Sequence, residues 1–297
     1  MRVIEAPSLA SLTTLGLGGT CAREIVLECE EDLCGLEEIL ASSRPFALGL
    51  GSNILGLDGH HDVVLVRPAF RDGPEIVAES GDMVQVKAGA GLPLPALLHF
   101  CRKEGLSGLE GLAGIPGSVG GACAMNAGSF GTTIGSHLVS CTIWSEGAVR
   151  TWAKDSLETG YRHFVPKGLE NSFFLVLSAT LLLQKDDSMA VGERMKSCLA
   201  LKKERQPVQA RSAGCVFKNP AGDLSAGILL DRAGFRGRKL GGVAMSEQHA
   251  NFLINTGTGT AAEAASLLKM ARAAVAEQFG VELQLEVCTV PEGALVL

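Results

Sequence analysis

Aromatic side chains are scarce in this sequence. They make up 5% of 297 residues, with Tyr161 the one tyrosine, too few for the stacking platforms on which single-stranded nucleic acids lie. Positive charge is short as well. Asp and Glu outnumber Lys and Arg by 32 to 26, a net charge of −6, which argues against a general nucleic-acid binder held by phosphate contacts. The nine cysteines form no C-x-x-C pair and no His/Cys cluster at zinc spacing, so no metal site is expected. Their odd number and irregular spacing read as free thiols in a reducing cytoplasm. Residues 1–19 show no basic stretch followed by an apolar one, so no signal peptide is expected. The longest apolar run, Phe173 to Leu183, is broken by Ser178 and Thr180. It is too short for a bilayer and reads as a buried strand, so no membrane partner is expected. There are no coiled-coil heptads, and a monomer is expected.

What is present is apolar and rich in glycine. Hydrophobic residues reach 46% and charged ones only 20%, enough to bury a core. The length suggests two domains at roughly 150 residues each. Strands are expected at Glu24–Glu28, Phe46–Leu50, Asp62–Val66, Met83–Lys87, Leu138–Trp144, Phe173–Leu183 and Asn251–Ile254. Helices are expected over 32–42, 95–104 (stopped by Gly105), 188–205 and 225–233 (stopped by Gly234). Thr260-Ala-Ala-Glu263 reads as a capping box that opens a last helix, ending near Phe279 before Gly280. Val281–Val287 alternates apolar and polar residues and reads as a final strand, with Glu282, Gln284 and Glu286 on one face.

Glycine is densest between Gly105 and Gly131, with nine in 27 residues. Bare backbone of this kind turns tightly and offers N–H groups to anionic oxygens, phosphates above all. A second glycine turn, Gly49-Leu-Gly-Ser-Asn53, follows an expected strand. Two such loops suggest a long ligand with a diphosphate. Neither fits G-x-G-x-x-G, and there is no P-loop lysine motif. Gly257-Thr-Gly-Thr-Ala-Ala262 matches the looser G-x-G-x-x-A form, but no acidic residue follows at the ribose position, so it reads as a helix cap. Charge is uneven too. Residues 194–239 carry a local balance of +8 and the remainder −14, a contrast that can draw an anionic small molecule to one domain. A solvated helix face explains Arg194, Lys196, Lys202 and Lys203 equally well. Arg211, Lys218, Arg236, Arg238 and Lys239 sit in glycine-rich turns. Cys215 lies among them. A lone cysteine is most often a small core residue, but an ordinary thiol, with a pKa of about 8.5, is mostly protonated at neutral pH and can donate a proton.

Gly111-Leu-Ala-Gly-Ile-Pro-Gly-Ser-Val-Gly-Gly121, followed by Met125-Asn-Ala-Gly128, closely resembles the signature of the UDP-N-acetylenolpyruvoylglucosamine reductase family. The Gly49–Asn53 turn, Gly160-Tyr-Arg162, Ala213–Pro220, Gly241-Gly242, His249–Phe252 and Leu285-Glu-Val287 follow in the family's order. The resemblance implies an α+β protein: a two-part FAD-binding region of the vanillyl-alcohol-oxidase/PCMH type plus a C-terminal α+β substrate domain. The blocks it implies are FAD-binding subdomain 1 at 1–56, subdomain 2 at 57–192 and the substrate domain at 193–297. It implies a cytoplasmic enzyme in which NADPH reduces FAD. A hydride then passes to the enolpyruvyl methylene of a UDP-sugar, giving UDP-N-acetylmuramate for peptidoglycan synthesis.

By the same resemblance Gly49, Gly51, Ser52 and Asn53 hold FAD. So do Gly114, Ile115, Pro116, Gly117, Ser118, Gly120, Gly121, Asn126, Ala127 and Gly128. Arg162 and Glu286 stabilise charge on the substrate carboxylate, and Cys215 supplies the proton where most relatives have a serine. Tyr161, Arg205, Arg211, Lys218 and Asn219 are implied substrate contacts. Leu15-Gly16 stands where relatives usually have an aromatic-Arg pair, and Thr133 where many have a Glu. The chain resembles the shorter subclass, which lacks the insertion bearing a substrate-covering tyrosine. Another flavin oxidoreductase acting on a different acid, or a non-catalytic nucleotide-binding module, would share much of this pattern.

Overall fold

A computed structural model describes residues 1–295. It has the expected α+β character, and its chain divides into two compact units. The first comprises Met1–Ile4, Glu24–Leu50 and Val64–Lys202; the second comprises Glu5–Arg23, Gly51–Val63 and the chain from Lys203 on. The units interleave along the sequence, unlike the consecutive blocks 1–56, 57–192 and 193–297, the last of which ends on two residues outside the described ones. The reason is long-range pairing. Ile54–Gly56 pairs in parallel with Cys288–Val290, and Asn255 Nδ2 donates to the carbonyls of Leu15 (3.1 Å) and Gly16 (3.0 Å).

The first unit is built on the antiparallel strands Ala148–Ala153, Leu138–Ser145, Phe174–Lys185, Met83–Gly89 and Glu75–Ser80, in that order, with Leu106–Ser107 beside the end of Phe174–Lys185. The long apolar run reads without alternation because both its faces are covered. Val176, Ala179, Leu181 and Leu183 join one buried cluster, together with Leu94, Leu97 and Leu98 of helix Leu94–Lys103. Leu175 and Leu177 join another, with Leu36, Leu40 and Trp144. A register shift between Thr142 and Ile143, opposite Ser178 and Val176, sets the change of face. The expected helix over 32–42 is shorter and split: a 3₁₀ turn, Glu30–Leu33, precedes helix Leu36–Leu40. Gly35, in a left-handed conformation at φ 72°, separates them. The strand expected at Phe46–Leu50 is Pro45–Ala47.

The second unit carries a four-stranded antiparallel sheet in the order Ser212–Cys215, Phe252–Asn255, Val243–Met245, Lys239–Leu240. Helices Ala226–Arg232 and Ala261–Phe279 supply Leu229, Leu230, Leu267, Leu268 and Val275 to its buried cluster. The capping box forms as read, with Thr260 Oγ1 accepting from the Glu263 N–H and Gly280 ending the helix at φ 66°. Asp58 adds a cap invisible in local sequence, its carboxylate accepting from the N–H groups of Ala261 (3.2 Å) and Ala262 (2.9 Å). The final strand expected at Val281–Val287 is absent. That segment makes only an isolated bridge, Phe217 to Leu285, and the strand is Cys288–Val290. Alternation is necessary for a half-buried strand, but a ladder also needs a neighbour along its whole length. All nine cysteines are free thiols. Among the described residues no metal-binding cluster occurs, and no helix is long and apolar enough to cross a membrane.

Candidate active site

In the first unit the glycine loop folds back on the segment before helix Leu94–Lys103. Leu94 N–H donates to Gly117 O (2.9 Å), Val119 N–H to Leu92 O (2.9 Å) and Gly120 N–H to Ala90 O (2.9 Å). The last two donors are therefore taken inside the protein. Those of Gly114, Gly117 and Ser118 have no backbone acceptor among the described residues. Gly114 and Gly117 take φ of 81° and 127°, the left-handed region open to glycine. A Cβ at Gly120 would lie 2.8 Å from the Ala90 Cβ. Ser118 is buried and caps helix Val119–Ala124 by accepting from Gly121 N–H (3.4 Å). The N–H groups of Gly114 and Gly117, on bare and at least partly exposed backbone, suit the diphosphate of FAD, and the residues present fit that cofactor.

Lys202, for which a solvated face and a pull on an anionic ligand are equally good readings of the sequence, supports this loop. It is only 3% exposed, and its ammonium donates to Ala113 O (2.8 Å) and lies over the Phe130 ring (5.5 Å). Burial lowers its pKa from 10.5 to about 8. The Gly49 carbonyl is fixed by Arg67 Nη1 (2.8 Å), and Arg67 Nε pairs with the buried Glu24 (2.6 Å).

Asn126, expected beside the cofactor, has both ends of its amide engaged within the unit. Nδ2 donates to Gly160 O (2.7 Å), and Oδ1 accepts from Gly135 N–H (2.9 Å). Gly160 begins the two-residue turn of hairpin Leu157–Gly160 and His163–Pro166, which presents Tyr161 and Arg162. Tyr161 is exposed, and the Arg162 guanidinium sits 5.2 Å from its ring centroid. Arg162 takes φ 53°, an uncommon conformation for a side chain of this size. Thr133 caps the short helix Ile134–His137 by accepting from Ser136 N–H (3.2 Å).

In the second unit Cys215 ends strand Ser212–Cys215. The pairing with Phe252–Asn255 shifts register between Ser212 and Cys215, and Gly214 takes φ 79° there. A bulge of this kind redirects the residue that follows it. Beyond Cys215 the chain runs antiparallel to the segment carrying Glu286. Glu286 N–H donates to Val216 O (2.8 Å), and Lys218 N–H to Gln284 O (2.8 Å). Cys215 and Glu286 thus lie on adjoining segments, both partly buried, although 71 positions apart in sequence.

Two asparagines hold these segments. Asn251 Oδ1 accepts from Phe217 N–H (3.0 Å), and its Nδ2 donates to Phe217 O (2.8 Å). Asn53, expected to face the cofactor, donates from Nδ2 to Glu286 O (3.1 Å). Gly51 takes φ 68°, and a Cβ there would lie 2.1 Å from Leu12 O. Asn219 Oδ1 accepts from Ala226 N–H (3.1 Å).

The cations divide by partner. Arg236 pairs with both oxygens of Asp231 (2.6 and 2.7 Å), a local commitment. Arg194 pairs with Glu110 and Asp186. Arg205 and Arg211 are exposed, and Lys218 is half-buried. Arg162 belongs to the first unit; Cys215, Lys218, Asn219 and Glu286 belong to the second.

Comparison with known proteins places these features in a family. Residues 36–147, which include both glycine loops, match the model of an FAD binding domain. Residues 206–290, which include Cys215 and Glu286, match that of the UDP-N-acetylenolpyruvoylglucosamine reductase C-terminal domain. The UDP-N-acetylenolpyruvoylglucosamine reductase of Nitratidesulfovibrio vulgaris is 46% identical over 97% of this chain and 98% of its own. That of Oleidesulfovibrio alaskensis is 46% identical over 96% and 97%. The crystal structure of the reductase from Thermus caldophilus matches with a TM-score of 0.79 at 33% identity, covering 97% of this chain and 99% of that one. Sequence, fold and the paired Cys215 and Glu286 segments agree, and the chain belongs to the UDP-N-acetylenolpyruvoylglucosamine reductase (MurB) family.

Proposed function

We propose that this protein is an FAD-dependent oxidoreductase that reduces UDP-N-acetylglucosamine enolpyruvate to UDP-N-acetylmuramate, a peptidoglycan precursor, with NADPH as hydride donor. The observation that carries the reading is 46% identity along almost the full length of a reductase of that name. The glycine loop, with the N–H groups of Gly114 and Gly117 without a backbone acceptor among the described residues, supports FAD as the bound cofactor. Gly49, Gly51 and Ser52 are further FAD contacts on this reading. Bound FAD would supply the redox chemistry, taking a hydride from NADPH and giving it to the enolpyruvyl methylene carbon.

The chain's own residues handle charge and the proton. Arg162 meets the substrate carboxylate and offsets the negative charge that grows there as the double bond is reduced. Glu286, as a carboxylic acid, donates a hydrogen bond to that carboxylate. The Cys215 thiol protonates the neighbouring carbon and leaves as thiolate, to be reprotonated from solvent. Lys218, Asn219, Tyr161, Arg205 and Arg211 bind the UDP-sugar in the 193–297 domain and at the hairpin turn. The protein works as a cytoplasmic monomer.

The test is direct. Purified protein should be yellow. Mixed with NADPH and UDP-N-acetylglucosamine enolpyruvate, it should oxidise NADPH and give a product heavier by two hydrogens. A colourless protein that takes up no added FAD, or NADPH oxidation without that product, refutes the reading.

A further inference from the structure

Hairpin Leu157–Gly160 and His163–Pro166 is a two-stranded sheet of its own, and two strands alone are marginal. Its base is anchored, since Leu157 and Phe164 are buried in the core of the first unit. Its tip, Tyr161-Arg162, projects beyond that anchor, with Tyr161 55% exposed. Something must fix the tip if the Arg162 guanidinium is to meet a carboxylate reproducibly.

A closed ring of hydrogen bonds does so. Asn126 Nδ2 donates to Gly160 O (2.7 Å), and Asn126 Oδ1 accepts from Gly135 N–H (2.9 Å). The Gly135 carbonyl in turn accepts from Lys154 Nζ, which also reaches Thr159 Oγ1 (3.5 Å). Thr159 precedes Gly160, and the ring closes on the last two residues before the tip.

The backbone is shaped for this contact. Asn126 is 6% exposed and takes φ 38°, a region where glycine is the easy choice and asparagine the tolerated one. Gly135 is bare where the amide approaches: a Cβ there would lie 2.4 Å from Asn126 Oδ1. Glycine at 126 would satisfy φ but lose both bonds.

We propose that Asn126, through its amide on the Gly160 carbonyl, is a positioning residue that fixes the hairpin tip and so aims Arg162 at the substrate carboxylate. The proposal rests on the reading of Arg162 given above, and it goes beyond that reading by placing Asn126 outside cofactor binding. A small misplacement of a charge-stabilising group slows the step it serves by up to about 100-fold. Steps that do not use Arg162 are untouched.

The experiment compares the FAD-loaded wild type, Asn126→Gly, Arg162→Ala and the double variant. Asn126→Gly keeps the backbone conformation and deletes only the amide. FAD affinity and the rate of flavin reduction by NADPH should stay within about twofold of wild type. Reoxidation of the reduced protein by UDP-N-acetylglucosamine enolpyruvate should slow by about 10- to 100-fold. In the Arg162→Ala background the Asn126 change should add less than about twofold, because residues acting through one group are not additive. Weaker FAD binding, or the same slowing in both backgrounds, overturns the proposal.

Lys154→Met opens the ring without touching Asn126 or the glycine loop, and should give the same selective loss should Asn126→Gly fail to fold. Amide hydrogen exchange across 157–166 needs no substrate. It should rise about tenfold or more in either variant, and unchanged exchange overturns the proposal. Wild-type protein that is not reoxidised by this substrate would refute the assigned substrate alone, leaving the exchange result to decide the role of Asn126.

Discussion

Replacing Lys202 by methionine should stabilise the protein at neutral pH, although it deletes a hydrogen bond. Lys202 is 3% exposed, and among the described residues it has no carboxylate partner. Burial takes its pKa from 10.5 to about 8, against a weaker pull upward from Cys198. At 1.36 kcal/mol per pH unit, keeping the ammonium charged at pH 7 costs the folded state about 3 kcal/mol. Methionine fills much the same volume without charge. It gives up the bond to Ala113 O, worth about 1 kcal/mol once the charge is set aside. The net gain at pH 7 is about 2 kcal/mol.

The pH dependence carries the sign. Below pH 8 both folded and unfolded wild type hold the proton, and the penalty is present in full. Between about 8 and 10.5 the unfolded chain holds the proton more tightly, so wild-type stability rises with pH. The advantage of the variant should therefore fall to near zero by about pH 10. Urea unfolding of both proteins at pH 7 and at higher pH checks this. A variant less stable than wild type at pH 7, or a difference that does not change with pH, would refute the buried, unpaired ammonium.

Arg67→Met should cost about 3–5 kcal/mol in urea unfolding, because it strands the Glu24 carboxylate, 2% exposed, without its partner. Adding Glu24→Leu should recover most of that loss, and failure to recover would place the damage elsewhere. Asp58→Ala removes the second cap on helix Ala261–Phe279 and should cost about 1 kcal/mol, since the Thr260–Glu263 box remains. Thermal unfolding reads it, and an unchanged midpoint would mean that Asp58 caps nothing in solution.

Much of this architecture was legible because its signals are local. Helix Ser188–Arg205 was read to its ends, and Thr260, Glu263 and Gly280 mark the start and stop of the last helix by chemistry that acts over four residues. What escaped depends on distant partners. Val281–Val287 alternates as a strand should, yet only its second half, from Gln284 on, finds a neighbour. Nothing near Asp58 says that its carboxylate meets residues 261 and 262. The two signature asparagines show the limit most clearly. Asn53 and Asn126 stand in glycine loops shaped for a cofactor, and a motif cannot show that their amides turn inward to Glu286 and Gly160. Lys202 stays open between two readings in the sequence for a related reason: nothing local shows that Phe130 and Ala113 close over it.

The central chemical claim is that the thiol on the strand beside Glu286 delivers the proton. Single-turnover kinetics of Cys215→Ala test it, with the two half-reactions followed separately by flavin absorbance. Reduction by NADPH should match wild type. Reoxidation by UDP-N-acetylglucosamine enolpyruvate should slow by about 10²–10⁴-fold, and Cys215→Ser should keep much of the activity. Reoxidation of the alanine variant at the wild-type rate would make Cys215 a packing residue and contradict the mechanism.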